Sequence, residues 1–261
     1  MDGIASASIV KLMYPDAKCI PVNYGDNWNV NDVIDSYCII VDFSFDNMQE
    51  LKQYTDKLCW IDHHKTAIDK NDKNIYGIRD ISKSGCELTW QHFFPEIKMP
   101  RAVELIGDRD MWIFKYGDDT RAYHEYVSMK FKKPNIELFN KYMVDEAIKN
   151  GMILLDKKKE HVRRSFEQGW DIVFQGHKTR VINSNLNVSD TGEYCYKDKG
   201  YAVAMIWSIR NDEVIFSLRS DTVDVCKLAE KYNGGGHKFS AGFKIKTVDK
   251  EFVNVIKGAG K

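Results

Sequence analysis

Two short apolar runs in this chain each stop on a charged residue. YCIIVDF leaves Asp42 at the end of one, and LCWIDHHK leaves Asp62, His63 and His64 at the end of the other. Continuous apolar runs of about five residues, separated by amphipathic stretches, are the pattern of parallel strands buried on both faces with helices crossing between them. The first third of the chain alternates in this way. GIASASIVKLMY reads as a helix, AKCIPVNY as a strand, VNDVID as a short helix, YCIIVDF as a strand, DNMQELKQYTDK as a helix and LCWID as a strand. SGCELTWQHFF and PRAVELIGD follow as helices. Between Met143 and Trp170, apolar residues at helical spacing (Ala147, Met152, Leu155, Val162, Phe166) predict a connecting helix. Beyond it TRVINSN, YAVAMIWSIR, EVIFSLRS and GHKFSAGFKIK predict strands, with a helix around CKLAEKY. The expected class is therefore α/β: a parallel-sheet domain over residues 1–125, a helical linker over 126–170, and a smaller α+β domain over 171–261.

The chain has 261 residues, of which 43% are apolar, enough for two domains with separate cores. Nothing approaches the roughly 20 apolar residues needed to cross a bilayer, and no basic-then-apolar leader opens the sequence, so a cytoplasmic protein with no membrane partner is expected. Six cysteines without a C-x-x-C pair point to reduced, packed thiols rather than disulfides or a zinc site. The formal net charge is zero, but residues 1–120 hold 13 basic against 20 acidic residues and the remainder holds 25 against 18. An acidic half suited to cations is followed by a basic half suited to phosphate. Without an overall positive excess the chain is a poor candidate for gripping long duplexes.

In an open α/β sheet, ligands gather outside the C-terminal ends of the strands. Asp42, Asp62, His63 and His64 are aimed at that edge, and LIGDRDMW adds Asp108 and Asp110 after an apolar helix. A mixed Asp/His set rich in carboxylate oxygens suits Mn²⁺, with Mg²⁺ as the alternative, better than tetrahedral zinc. Near the other end, NGGGHKFSAGF follows IFSLRS. Consecutive glycines let backbone N–H groups approach an anion, and Arg219 and His237 can add charge-assisted hydrogen bonds to phosphate.

VDFSF, IDHHK, GDRDMW, SLRS and GGGH, in this order, resemble the DHH phosphoesterase superfamily with its C-terminal DHHA1 domain. Within it the chain looks most like the small phosphoesterases, the nano-RNases, that degrade very short RNAs. The resemblance implies that Asp42 bridges two metal ions, that Asp2, His63 and Asp108 are ligands of one of them, and that Asp110 takes the place of Asp108 if the register is shifted. It implies further that His64 meets substrate phosphate or protonates the leaving oxygen, that Asp62 orients the histidine pair, and that Arg219, Gly234, Gly235, Gly236 and His237 hold substrate. The family opens on His-x-Asp-x-Asp-Gly, of which this chain has Asp2-Gly3. The expectation is that the first strand and two ligands of the second ion are missing, through a late start or a damaged site.

The implied activity is metal-dependent hydrolysis of short oligoribonucleotides or related nucleotides to 5′-monophosphates, with a hydroxide activated by two ions. A 3′-phosphoadenosine 5′-phosphate phosphatase and a cyclic mononucleotide phosphodiesterase are the alternatives within the enzyme class. A non-catalytic nucleotide-binding protein, N-terminally truncated, is the alternative outside it. Short RNA or a nucleotide is the expected partner, and oligomer formation is left open.

Overall fold

A computed structural model describes residues 1–23, 25–71, 74–210, 213–246 and 257–258. The chain divides into two compact units, Met1–Leu155 and Asp156–Lys261. The division falls inside one long helix, the one expected between Met143 and Trp170.

The first unit opens with α1 (Asp2–Met13) and continues through α2 (Val30–Val33), β1 (Cys38–Val41), α3 (Met48–Leu51), β2 (Leu58–Ile61), α4 (Lys65–Lys70), α5 (Gly85–Phe93), α6 (Arg101–Asp110), α7 (Asp118–Lys130) and a 3₁₀ turn (Ile136–Phe139). The helix α8 (Lys141–Glu167) starts in this unit. β1 and β2 pair in parallel, with Cys38 opposite Leu58 and Val41 opposite Ile61. Bridges from Cys59 to Tyr76 and from Asp62 to Arg79 lay a further parallel segment along β2. β2 is buried at all four residues, as a run apolar on both sides requires. On the helical side, Ala5, Ile9, Leu105, Ile106, Tyr123 and Val127 pack into one core, which fixes α1, α5, α6 and α7 against each other. This packing positions the site, because α1 and α6 each carry an acid into it.

Three expectations change here. Residues 17–23 of AKCIPVNY make no ladder, and Tyr24 lies outside the described residues. Cys19 and Ile20 are exposed and Pro21 has no N–H to donate, so the run lacks both burial and a full set of ladder donors. DNMQELKQYTDK is helical only over Met48–Leu51. The helix predicted to end at Asp108 runs on to Asp110.

The second unit contains β3 (Trp170–Phe174), β4 (His177–Asn183), α9 (Val188–Glu193) continuing into a π-helical turn (Tyr194–Asp198), β5 (Val203–Arg210), β6 (Glu213–Arg219), α10 (Val225–Glu230), β7 (Gly235–His237) and β8 (Ser240–Lys246). They form one mixed sheet in the order β3-β4-β5-β6-β8-β7, in which β4 and β5 are parallel and the other pairs antiparallel. One face is closed by α10 over Val214, Phe216, Leu218, Phe243 and Ile245. On the other face, Ile182, Ala204 and Ile206 pack with Cys195, Phe166 and Val188. GHKFSAGFKIK, read as one strand, is instead a tight hairpin of β7 and β8, with His237 opposite Ser240. Among the described residues no helix is long and apolar enough to cross a membrane.

Candidate functional site

β1 ends at Val41, and the next residue, Asp42, turns into the left-handed region with φ +52. A non-glycine residue tolerates this only where its surroundings hold it, and aspartate is among the types that tolerate it best. Here the Asp42 N–H donates to Ile61 O at 2.9 Å, so the ladder continues while the side chain swings off the sheet edge. Two glycines leave room for it. A Cβ on Gly85 would lie 2.7 Å from Asp42 Cβ, and one on Gly3 would lie 3.2 Å from Asp42 Oδ2.

Asp2, buried in the first turn of α1, faces the N-terminus of α5. Its carboxylate accepts the N–H groups of Gly85 and Cys86, each at 2.7 Å, where the helix dipole also favours negative charge. Ser84 and Glu87 complete a capping box at the same helix end. A Cβ on Gly107 would come within 2.6 Å of Glu87 Cδ, so glycine there lets α6 lie against this cap and carry Asp110 toward the same place.

The acids meet at His63. Its Nε2 lies 3.2 Å from Asp42 Oδ1, 3.6 Å from Asp110 Oδ2 and 3.8 Å from Asp2 Oδ2. Asp2, His63 and Asp110 form one group whose ligand atoms lie within 4.8 Å of one another, and Asp42, His63 and His64 form a second. Burial alone would lower the His63 pKa, but the three carboxylates outweigh it and push it up to about 9. Burial, helped by the charge of Asp42, pushes Asp2 up to about 6 against the pull of the Cys86 hydrogen bonds. Burial and Asp2 push Asp110 up to about 6 as well. Clustered acids that resist ionisation around a protonated imidazole mark a place where a cation is wanted. Three carboxylates and one imidazole suit Mn²⁺ or Mg²⁺, so the residues present fit the metal that the motifs imply.

Asp62 sits fully buried behind the histidines. Its Oδ1 accepts from His64 Nδ1 at 2.7 Å and from the backbone N–H groups of His63 at 2.8 Å and His64 at 3.3 Å. Because a carboxylate can only accept, Nδ1 of His64 carries the proton. The hydrogen bond to Asp62 raises the His64 pKa, against burial.

Asp108 is placed differently from its expected role. Its carboxylate accepts from the N–H groups of Lys115 at 2.7 Å and Tyr116 at 3.3 Å and from the Thr120 hydroxyl. It thus ties the loop after α6, in which Trp112 and Phe114 hold φ +56 and +55, to the start of α7. Among the described residues the group at His63 includes Asp110 and not Asp108. Gly85 is the contributor the sequence did not reveal, since its role depends on a side chain 43 positions earlier.

In the second unit a groove of about 680 Å³ runs between β6, β8 and the glycine loop, lined in part by Arg219, Gly234, Gly235 and Gly236. The Arg219 guanidinium donates to Leu218 O at 2.9 Å and Ser189 Oγ at 3.4 Å. Burial lowers its pKa, against the influence of Tyr196. Two of the glycines have backbone reasons. A Cβ on Gly234 would lie 2.3 Å from Gly242 O, and Gly236 has φ +142 with Ser240 O 2.6 Å from the Cβ position. His237 ends β7, exposed, beside Ser240.

Residues 183–258 match the family model of the DHHA1 domain. The C-terminal unit contains a DHHA1 domain. A pGpG-specific phosphodiesterase from Vibrio cholerae aligns over 97% of this chain and 93% of its own length, with a TM-score of 0.53 at 14% identity, which shows the shared fold. An exopolyphosphatase-related protein from Bacteroides fragilis aligns over 88% of this chain and 72% of its own, with a TM-score of 0.47 at 14% identity. An uncharacterized protein of Acanthamoeba polyphaga mimivirus is 29% identical over 218 residues, 78% of this chain. The chain spans about half, 52%, of the length of that curated relative. Residues 183–258 thus resemble the DHHA1 domain, and the chain shares its fold with the Vibrio cholerae phosphodiesterase.

Proposed function

We propose that the chain is a cation-dependent phosphoester hydrolase acting on short oligoribonucleotides or related nucleotides and releasing 5′-monophosphates. The observation that carries this reading is the convergence of Asp2, Asp42 and Asp110 on Nε2 of His63. Those four residues would hold the cation, with Asp110 in the place that the motif reading gave to Asp108. When bound, Mn²⁺ or Mg²⁺ supplies Lewis-acid activation of water and neutralises charge developing on phosphate.

The protein's own groups divide the remaining work. Asp62 fixes the tautomer of His64 and keeps that imidazole protonated to a higher pH than an ordinary histidine, which suits it to donate a proton to the leaving oxygen. Asp42, wedged between two glycines, can move little, so the acids keep their spacing without the cation. In the DHHA1 domain Arg219 and His237, with the N–H groups of the glycine loop, hold substrate phosphate. The known action of the Vibrio cholerae protein on pGpG is of the same chemical type.

The test is turnover by metal-stripped protein, with and without added Mn²⁺, on a 5′-phosphorylated diribonucleotide, on 3′-phosphoadenosine 5′-phosphate and on a cyclic mononucleotide. Mn²⁺-dependent release of 5′-monophosphate from the first, faster than reaction of the other two, supports the reading. Turnover of only the second or third moves the substrate. Nucleotide binding without any turnover makes the chain a binding protein.

A further inference from the structure

The open half of the DHHA1 sheet is organised in rows across three strands. On β6 the buried residues Val214, Phe216 and Leu218 alternate with Ile215, Ser217 and Arg219, which face the groove. Strand register places Ser240 of β8 between Arg219 and His237, Gly242 between Ser217 and Gly235, and Lys244 beside Ile215. One polar row therefore stands at one end, a row of serine and two glycines forms a bare floor, and a second cation stands at the far end. Ser240 and Lys244 are four residues apart on β8, so the two ends are about 13 Å apart at roughly 3.3 Å per residue.

Gly235 stands out on this floor. Its φ is not in the left-handed region and a Cβ built on it meets nothing within 4 Å, so neither backbone conformation nor packing requires glycine there. A side chain would project into empty groove. Lys244 makes an exposed ion pair with Glu213 at 2.9 Å, and such pairs contribute about 0–1 kcal/mol, so its ammonium is readily transferred to a ligand anion.

We infer that this trough is a length-sensing site: it takes a ligand with two anionic groups about 13 Å apart, one at Arg219 and His237 and the other at Lys244, with two nucleosides and the phosphate that joins them lying between, over Gly235. A short oligonucleotide carries such anions and a mononucleotide does not. The inference rests on the proposed reading of the DHHA1 domain as the substrate-holding unit.

Binding is measured by fluorescence anisotropy in the absence of turnover, with a labelled phosphorothioate RNA trinucleotide bearing a 5′-phosphate, and with labelled AMP as the short probe. Lys244→Ala should weaken the trinucleotide by about three- to tenfold and leave AMP unchanged, and the slope of log affinity against log salt should shrink by about 0.7 for the trinucleotide alone. Gly235→Val should leave the melting temperature unchanged and weaken the trinucleotide by about tenfold or more; Gly235→Ala serves if the valine variant melts early. Equal loss for both probes with Lys244→Ala, no loss for either, or no binding of the trinucleotide by the unmodified protein would overturn the inference. Turnover is followed separately in the same preparations. Trinucleotide binding of the expected pattern without hydrolysis would remove the proposed activity and leave the trough.

Discussion

Asp108 and Asp110 stand two residues apart in one motif, and the structure gives them opposite jobs. Asp108→Asn keeps the shape of the side chain but replaces one accepting oxygen by an NH₂ group. That group would face donors, because Lys115 N–H, Tyr116 N–H and the Thr120 hydroxyl all point at the carboxylate. Losing one charge-assisted hydrogen bond and weakening another costs about 2–4 kcal/mol. For a unit of this size that is a fall in Tm of about 4–16 °C. Metal affinity per folded molecule should stay within about threefold of the unmodified protein. Asp110→Asn should do the reverse. Its side chain is 33% exposed and its pKa stands at about 6, so removing the charge relieves repulsion with Asp2 and leaves the metal-free Tm unchanged or slightly higher. Mn²⁺ affinity should fall by about a hundredfold, the loss of about 2.7 kcal/mol of ligand interaction. Calorimetric titration with Mn²⁺ and differential scanning fluorimetry on the same two variants separate the roles. An Asp110→Asn protein that binds Mn²⁺ as tightly as the unmodified chain, beside an Asp108→Asn protein that has lost binding without losing stability, would refute the assignment.

Asp42→Asn should abolish hydrolysis by more than a hundredfold while keeping the fold, since asparagine also tolerates φ +52; a melting scan beside a turnover assay checks it. Gly85→Ala should lower Mn²⁺ affinity more than Gly3→Ala does, because the added methyl meets Asp42 at 2.7 Å in one case and 3.2 Å in the other, and calorimetry ranks the two. The pKa of His63 is raised from 6.5 to about 9, so its stabilising contribution to the metal-free protein is complete below pH 6.5 and lost as pH rises through 9. Melting temperature of the metal-free form should fall across that window, and Mn²⁺ binding within it should release a proton, seen as buffer-dependent heat. Arg219→Ala should raise KM for short RNA by about ten- to a hundredfold with a smaller loss in kcat, read from initial rates.

What the residue pattern conveyed and what it withheld have separable causes. Asp42, Asp62, His63 and His64 were legible because each follows a strand that is apolar on both sides, and such strands deliver their ends to one sheet edge. The choice between Asp108 and Asp110 was not, because it depends on how far α6 continues, and helix ends are set by capping contacts that the motif itself does not show. The β7–β8 hairpin hid inside an apparently continuous strand because its turn, Lys238-Phe239, lacks the Asn-Gly chemistry that announces such turns. DDTRAYHEYVSMK went unread as a helix because charged residues dilute its apolar stripe, although Ala122, Tyr123 and Val127 are fully buried in the fold. The strand expected over residues 17–24 shows the opposite error: apolar residues alone do not make a ladder.

The most direct test of the central claim is the initial rate of 5′-monophosphate release from a 5′-phosphorylated diribonucleotide by metal-stripped protein, followed as Mn²⁺ is titrated in. The cluster of Asp2, Asp42, His63 and Asp110 predicts no release without the ion and a saturable rise with it, absent from Asp42→Asn. Release that proceeds equally well in excess chelator, or that survives in Asp42→Asn, would contradict it.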